Sequence, residues 1–185
     1  MIHNLWSTPI EHGKFEVPEL ANFILQTYNM ADPPSTMDNY NILDNKAQPI
    51  QELRKVALEN FKKYSNRCFG VDIDRYSVVE LKGWVTGHGE QYQMPLHNHA
   101  GAYFSAVYYA LAEEQDQGGQ IHFMDPRSNA NRGYDLNYQH PFKPFSLTPE
   151  TGDFVIFPSF VYHHVSQFFS RFRIAIPIDL YLYEE

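Results

Sequence analysis

The sequence has little cysteine, no cluster of basic residues and no long apolar run, and each absence excludes a class of protein. Its 185 residues contain one cysteine, Cys68, which cannot form a disulfide within the chain. There are 14 Lys and Arg against 22 Asp and Glu, and the net charge of -8 disfavours binding to nucleic-acid phosphates. Neither an 18-residue apolar stretch nor a secretory leader pattern is present. We therefore expect a reduced, cytoplasmic protein that binds neither nucleic acid nor a membrane.

Aromatic and other apolar residues are abundant. Hydrophobic residues make up 43% of the chain, with 14 Phe, 13 Tyr and 2 Trp. Flat rings pack well on a pleated, half-buried surface, so this composition favours a β-rich core. The length suits one domain spanning residues 1–185.

The hydrophobic pattern divides the chain into a helical and a β-rich part. Pro18 to Met30 and Pro49 to Tyr64 carry apolar residues at helical spacing, and residues 31–48 have the composition of a loop. From Tyr76 onward, short apolar runs are separated by Gly, Pro, Asn or Asp. These runs are YSVVELKGWV, YFSAVYYALA, GQIHFM, DFVIFP and FRIAIPIDLYLY. The pattern predicts a mainly β (α+β), jelly-roll-like barrel over 71–185, supported by helices within 1–70.

Histidines form the first candidate site. His97-Asn98-His99 precedes a strand, and residues i and i+2 of an extended chain project from one face, roughly 7 Å apart. Two imidazoles so placed can converge on one metal, and His163 or His164 follows the strand DFVIFP. The alternative is that H-x-H is an ordinary surface feature.

The last strand carries the second candidate site. In RFRIAIPIDLYL, Arg171, Arg173 and Ala175 alternate with Phe172 and Ile174. An arginine beside a small residue indicates a roomy, polar barrel interior, where a buried guanidinium needs an anionic partner and matches a carboxylate. The alternative is that both arginines face solvent.

Several segments together resemble a known family. They are GEQYQMPLHNHAGAYFSAVYYAL, GGQIHFMDPR, PETGDFVIFPSFVYHHVSQ and FRIAIPIDL, together with the opening LWSTPI. This ordered set is similar to the 2-oxoglutarate/iron(II)-dependent oxygenases of bacteria and phages, which are relatives of prolyl 4-hydroxylases. The resemblance spans nearly the whole chain and implies a double-stranded β-helix, a cupin-like jelly roll.

The resemblance implies an iron(II) site made of three histidines. His97 matches the first ligand, and His163 matches the distal ligand because Val165 completes an H-x-V pattern. His99 stands where most of the superfamily has Asp or Glu. The usual facial triad is two histidines and one carboxylate, so an imidazole at this position raises the charge of the ligand set by one. We expect His99 to be a ligand, although a role behind the ligands remains an alternative.

The resemblance also implies a 2-oxoglutarate pocket. Arg173 matches the arginine that holds the far carboxylate of the co-substrate, and Tyr109 and Ser105 match residues that line the pocket. The implied reaction couples oxidative decarboxylation of 2-oxoglutarate, with O2 and with ascorbate as a candidate reductant, to hydroxylation of a C–H bond. We expect a small-molecule or peptidyl substrate, and the ligand histidines must be neutral to bind, which predicts lower activity below about pH 6.5.

Other features are open at this stage. Asp125-Pro126-Arg127 forms a turn or contacts an acidic substrate, and the residues from Ser128 to Pro144 form a substrate-facing loop or a disordered insertion. His88 and His122 are partners of the ligands or surface residues. Exposed aromatics could support a homodimer, and a phage-encoded chain would work in the host cytoplasm.

Two other functions fit part of the pattern. A cupin-type metal-binding protein or three-histidine dioxygenase needs no 2-oxoglutarate, but then Arg173 has no evident role. Segment 100–106 also lacks the acidic residue that a first cupin motif would carry. The second alternative is a non-enzymatic β-sandwich whose histidines are incidental.

Overall fold

The computed structural model describes residues 7–28, 40–88, 92–112, 118–127, 144–169 and 173–184, and in this part of the chain two main helices follow a short first strand. Helix α1 spans Leu20–Thr27 and helix α2 spans Gln48–Phe69. Most of the apolar positions that predicted α2 are buried, among them Ile50, Leu53 and Phe61, whereas Val56 is half-buried. Helix α2 continues beyond the predicted Tyr64 and ends where Gly70 takes a left-handed φ of 67°. The two amphipathic helices are therefore confirmed.

The described strands form two antiparallel sheets. The strands are β1 (Glu11–Lys14), β2 (Val78–Gly83), β3 (Thr86–His88), β4 (Met94–His97), β5 (Phe104–Ala112), β6 (Ile121–Phe123), β7 (Phe145–Leu147), β8 (Asp153–Pro158), β9 (His163–Val165) and β10 (Arg173–Tyr183). One sheet has the order β1-β8-β5-β10-β2, with β3 also pairing with β10, and the other has the order β4-β9-β6-β7.

The larger sheet is covered on both faces. Alternate residues of β5 and β10, such as Tyr108 and Ile176, pack with the helices in one core cluster. The intervening residues, such as Val107, Tyr109 and Ala175, pack in a second cluster with Ile121 and Phe123 of the smaller sheet. The period of two along a strand separates these two sets. The second face lines the interior of the barrel, and the functional side chains lie there.

The architecture agrees with the mainly β, double-stranded β-helix fold expected from the sequence. The N-terminal part is not purely helical, because β1 pairs with β8 of the larger sheet. Residues 128–143 of the predicted loop, Leu5 and Trp6 of the opening segment, Met30, Arg171 and Phe172 lie outside the described residues, as does the side chain of His88. In the described part of the chain, no helix is both long enough and apolar enough to span a membrane.

Candidate active site

Three histidines meet inside the barrel. His97 is the last residue of β4 and lies opposite His163 of β9, and His99 follows two residues after His97. One ring nitrogen from each lies within 4.8 Å of the other two. Nitrogens about 2 Å from a shared ion lie about 3–3.5 Å apart when the ligands are tetrahedral or on one side of the ion. The three rings therefore need to approach one another by up to about 2 Å to share one ion.

Hydrogen bonds fix which nitrogen of each ring faces the centre. Nδ1 of His97 lies 2.8 Å from the carbonyl oxygen of Pro95, and Nδ1 of His163 lies 3.0 Å from that of Val161. A carbonyl oxygen only accepts, so each Nδ1 donates its hydrogen. Nδ1 of His99 lies 2.6 Å from Oδ1 of Asp179, a carboxylate oxygen that accepts in the same way. In its neutral form, each ring therefore keeps its lone pair on Nε2, the state that a metal requires.

Burial lowers the pKa of two of the three histidines. His163 is 3% exposed, and loss of solvent lowers its pKa to about 3. Burial is also the main cause that lowers the pKa of His97. Because a protonated imidazole cannot ligate, the low pKa prepares both rings for a metal at neutral pH.

The neighbouring histidines point away from this centre. His164 lies on the other face of β9 and stacks on His122 of β6, with ring centroids 4.6 Å apart. Nδ1 of His122 lies 2.7 Å from Oγ of Ser146, on the adjacent strand β7. Of the two histidines open in the sequence, His163 is therefore the one inside the barrel, and His122 is not a neighbour of the cluster.

The histidine cluster opens into a cavity of about 640 Å³, its mouth included. The described lining is largely apolar and contains Arg173 and no acidic residue. It consists of Trp84, Thr86, Tyr92, Met94, His97, His99, Val107, Tyr109, Ile121, His163, Val165, Phe168, Arg173, Ala175 and Pro177. A cavity with one cation and no described acid fits an anionic ligand.

Arg173 is held inside this cavity with part of its guanidinium unsatisfied. The side chain is 6% exposed, Nη1 donates to the carbonyl oxygen of Gly119 at 2.6 Å, and Nε has no hydrogen-bond partner among the described residues. The guanidinium carbon lies 4.5 Å from the ring centre of Phe168 and 5.7 Å from that of Tyr109. Burial lowers the pKa of Arg173 from its ordinary value. A buried guanidinium with an open donor is suited to bind a carboxylate.

Tyr109 and Ser105 lie on the interior face of β5, as strand alternation predicted, but they differ in position. Tyr109 lines the cavity near Arg173, and burial raises the pKa of its hydroxyl, which keeps it a donor. Ser105 is not among the lining residues. It lies behind His99, where its Oγ donates to Oδ1 of Asp179 at 2.6 Å. This position differs from the expected contact with the co-substrate.

Sequence reasoning missed Asp179. The residue is 5% exposed and contacts His99 from inside the barrel. A signal was present, because Arg173, Ala175, Pro177 and Asp179 alternate along β10 and so share its interior face. Asp125 and Arg127, in contrast, form an ion pair with each other beside β6 and do not line the described cavity.

Comparison with known proteins identifies the family. The sequence model described as "Putative 2OG-Fe(II) oxygenase" matches residues 82–179, which is more than half of the chain. The chain belongs to this family. Its members are oxygenases that use iron(II) and 2-oxoglutarate, and the three histidines are positioned to bind iron. A search of curated proteins finds no match.

Solved structures share the fold of this 2OG-Fe(II) oxygenase. A Pseudomonas putida prolyl-4-hydroxylase has a TM-score of 0.63 at 15% identity, covering 98% of this chain and 90% of that one. A Trichoplax adhaerens prolyl hydroxylase, in complex with a hypoxia inducible factor peptide fragment, has a TM-score of 0.66 at 14% identity, covering 94% and 83%. A Burkholderia pseudomallei 2OG-Fe(II) oxygenase has a TM-score of 0.53 at 14% identity. The match covers 75% of this chain and 58% of that protein, so this chain spans little more than half of its length.

Proposed function

We propose that His97, His99 and His163 ligate iron(II) in this oxygenase. The observation that carries the proposal is the convergence of three imidazoles within 4.8 Å, each with Nδ1 engaged in a hydrogen bond. Imidazole suits iron, and a site with three protein ligands on one side leaves positions for other ligands. When bound, the metal with 2-oxoglutarate and dioxygen supplies the oxidising power to hydroxylate a C–H bond, releasing succinate and CO2.

Arg173 is the proposed anchor for the far carboxylate of 2-oxoglutarate. Its open Nε, its burial and the lack of acidic side chains in the described lining support an anionic ligand in this cavity. Tyr109 is the proposed second donor to the same carboxylate. The apolar lining would exclude water from the reacting groups. This anchor distinguishes the proposal from a cupin that needs no 2-oxoglutarate.

The substrate, the location and the assembly are also part of the proposal. Prolyl hydroxylases among the proteins of similar fold favour a peptidyl or small-molecule substrate. We propose a cytoplasmic location, because the single cysteine suits a reducing compartment. We also propose that 1–185 forms one oxygenase domain, and that exposed aromatics such as Phe160 and Tyr162 pair in a homodimer.

Substitutions of His163 and His164, adjacent residues on opposite faces of β9, test the metal site. Wild-type protein, His163→Ala and His164→Ala are loaded anaerobically with iron(II), and bound iron is measured after desalting. We expect His163→Ala to lose iron, because one of three ligands is gone, while the matched control His164→Ala retains it. Equal iron in all three proteins would contradict the ligand set.

The co-substrate site is tested by calorimetry with 2-oxoglutarate on the iron-loaded protein without dioxygen. We expect Arg173→Ala to weaken 2-oxoglutarate binding and spare iron loading. With dioxygen and ascorbate, wild-type protein should release succinate slowly even without a substrate. No binding of 2-oxoglutarate to wild-type protein would favour the cupin alternative.

A further inference from the structure

His99 is held from behind by a buried carboxylate. Its Nδ1 lies 2.6 Å from Oδ1 of Asp179, and the two side chains are 6% and 7% exposed. Trp84 packs against the His99 ring at 5.6 Å and Phe157 meets it edge-on at 6.1 Å, so aromatic rings surround the contact. An unpaired carboxylate in such surroundings would be costly, and hydrogen bonds are required to keep it there.

Two serines extend the support of His99. Oγ of Ser105 donates to Oδ1 of Asp179 at 2.6 Å, which uses its only hydrogen. The 2.8 Å contact between the hydroxyls of Ser105 and Ser159 must then have Ser159 as donor. The carbonyl oxygen of Ser159 also accepts from the backbone N–H of His99 at 3.0 Å. Both the main chain and the ring of His99 are therefore fixed by one connected network.

The charge of this network is unusual for a site of this type. Among the described ion pairs, none joins Asp179 to a lysine or an arginine. A facial triad of two histidines and a carboxylate carries one negative charge among its ligands, whereas three neutral imidazoles carry none. Asp179 lies one hydrogen bond behind the histidine that stands at the carboxylate position. The negative charge is thus present in the site, but displaced from the ligand to its partner.

We propose that Asp179 is a positioning residue of the metal site, which holds His99 as an Nε2 ligand and supplies the negative charge that the H-x-H motif lacks. This inference rests on the proposed iron site. Carboxylate partners of ligating histidines fix the tautomer and raise ligand basicity, and their removal costs about 10–100-fold in metal affinity. Ser105 and Ser159 serve the same purpose by orienting Asp179.

The first experiment is a metal titration of Asp179→Asn. The amide oxygen still accepts a hydrogen bond, so the substitution removes charge with little change of shape. We expect iron(II) affinity to fall by about 10–100-fold, with a shift in the visible absorption of the cobalt(II)-substituted protein, which reports the ligand field.

Asp153→Asn is the matched control. Asp153 is 3% exposed on β8, lies 3.1 Å from Nε2 of His12 and accepts from the backbone N–H of Glu150. It is thus a second buried aspartate beside a histidine, and it is not among the residues that line the cavity. We expect its loss to leave metal affinity and the cobalt(II) spectrum as in the wild type.

A double variant tests whether the negative charge of Asp179, and not only its shape, supports metal binding. His99→Asp alone would put two carboxylates side by side, and like charges repel. The double variant His99→Asp/Asp179→Asn returns the carboxylate to the ligand position, and we expect it to bind iron(II) about 10-fold more tightly than either single variant. Wild-type affinity in Asp179→Asn, or no rescue in the double variant, would overturn the inference and leave the proposed function intact. A wild-type protein that binds no iron(II) would overturn both.

Discussion

Arg173 donates a 2.6 Å hydrogen bond from Nη1 to the carbonyl oxygen of Gly119, and the same glycine leaves the space in which the guanidinium lies. Gly119 has a φ of 71°, and a Cβ built there would be 2.6 Å from Nη2 and 2.7 Å from Nη1 of Arg173. Gly119, two positions before the start of β6, therefore determines where the guanidinium of Arg173 on β10 lies. The absence of a side chain at Gly119 is part of the proposed 2-oxoglutarate site.

Gly119→Ala should weaken 2-oxoglutarate binding. The added methyl group displaces the guanidinium, and loss of a charged hydrogen bond costs about 1.5–3 kcal/mol, or roughly 10–100-fold in affinity. Calorimetry with iron-loaded protein measures the change, and iron content should stay the same.

The control for backbone strain is Gly70→Ala at the end of α2. Gly70 has a similar φ of 67°, and no atom lies within 4 Å of the position that a Cβ would take there. We expect both variants to lose stability to a similar degree, since each forces alanine into a left-handed conformation. Normal 2-oxoglutarate affinity in Gly119→Ala would contradict the role of the glycine.

Arg173→Met should increase the stability of the apoprotein while removing 2-oxoglutarate binding. In the described structure Nε is buried without a partner, and an unsatisfied buried polar group costs about 1–3 kcal/mol. Methionine also removes a buried charge that has no anionic partner among the described residues, and burial of such a charge costs several kcal/mol. These two costs exceed the charged hydrogen bond to Gly119, which is worth about 1.5–3 kcal/mol, so we expect a net gain of about 1 kcal/mol. Urea unfolding without metal measures it. A variant less stable than the wild type would mean that the arginine supports the fold.

The strand patterns predicted the interior face of the barrel, but not the contacts made across it. Alternation along β10 correctly grouped Arg173 with Ala175, and the i, i+2 spacing correctly grouped His97 with His99. These are local properties of an extended chain. The contact between His99 and Asp179 joins residues 80 positions apart, and the displaced role of Ser105 depends on it. The short strands β4 and β9, which bring His97 opposite His163, have too few residues to show a periodic pattern.

The stability of the apoprotein should fall in mild acid. Burial lowers the pKa of His163 to about 3, whereas an unfolded histidine titrates near 6.5. Between these values the unfolded chain binds a proton that the folded chain does not, so this stability is complete above about pH 6.5 and is lost as pH falls toward 3, by roughly 1.4 kcal/mol per unit. Because the pKa of His163 is lowered, we expect this residue to lose the metal at a lower pH than the value of about 6.5 predicted from the sequence.

Urea unfolding of the metal-free protein between about pH 5 and pH 7 measures this slope. We expect His163→Phe to reduce the dependence, because phenylalanine fills the site without taking up a proton. An unchanged slope in His163→Phe would show that other groups cause the acid sensitivity.

Phe61→Ala should test whether the helices and the barrel fold as one unit. Phe61 of α2 is fully buried, and its ring lies 6.2 Å from that of Phe154 on β8, in an edge-on arrangement. Truncation of a buried phenylalanine costs about 3–5 kcal/mol. If residues 1–185 form one domain, the unfolding transitions followed by far-ultraviolet and near-ultraviolet circular dichroism should coincide and shift together to lower denaturant concentration.

Phe69→Ala is the matched control on the same helix, since Phe69 is 41% exposed and its loss should cost less. Separate transitions, with the barrel signal unchanged by Phe61→Ala, would show that the helical part is an independent unit.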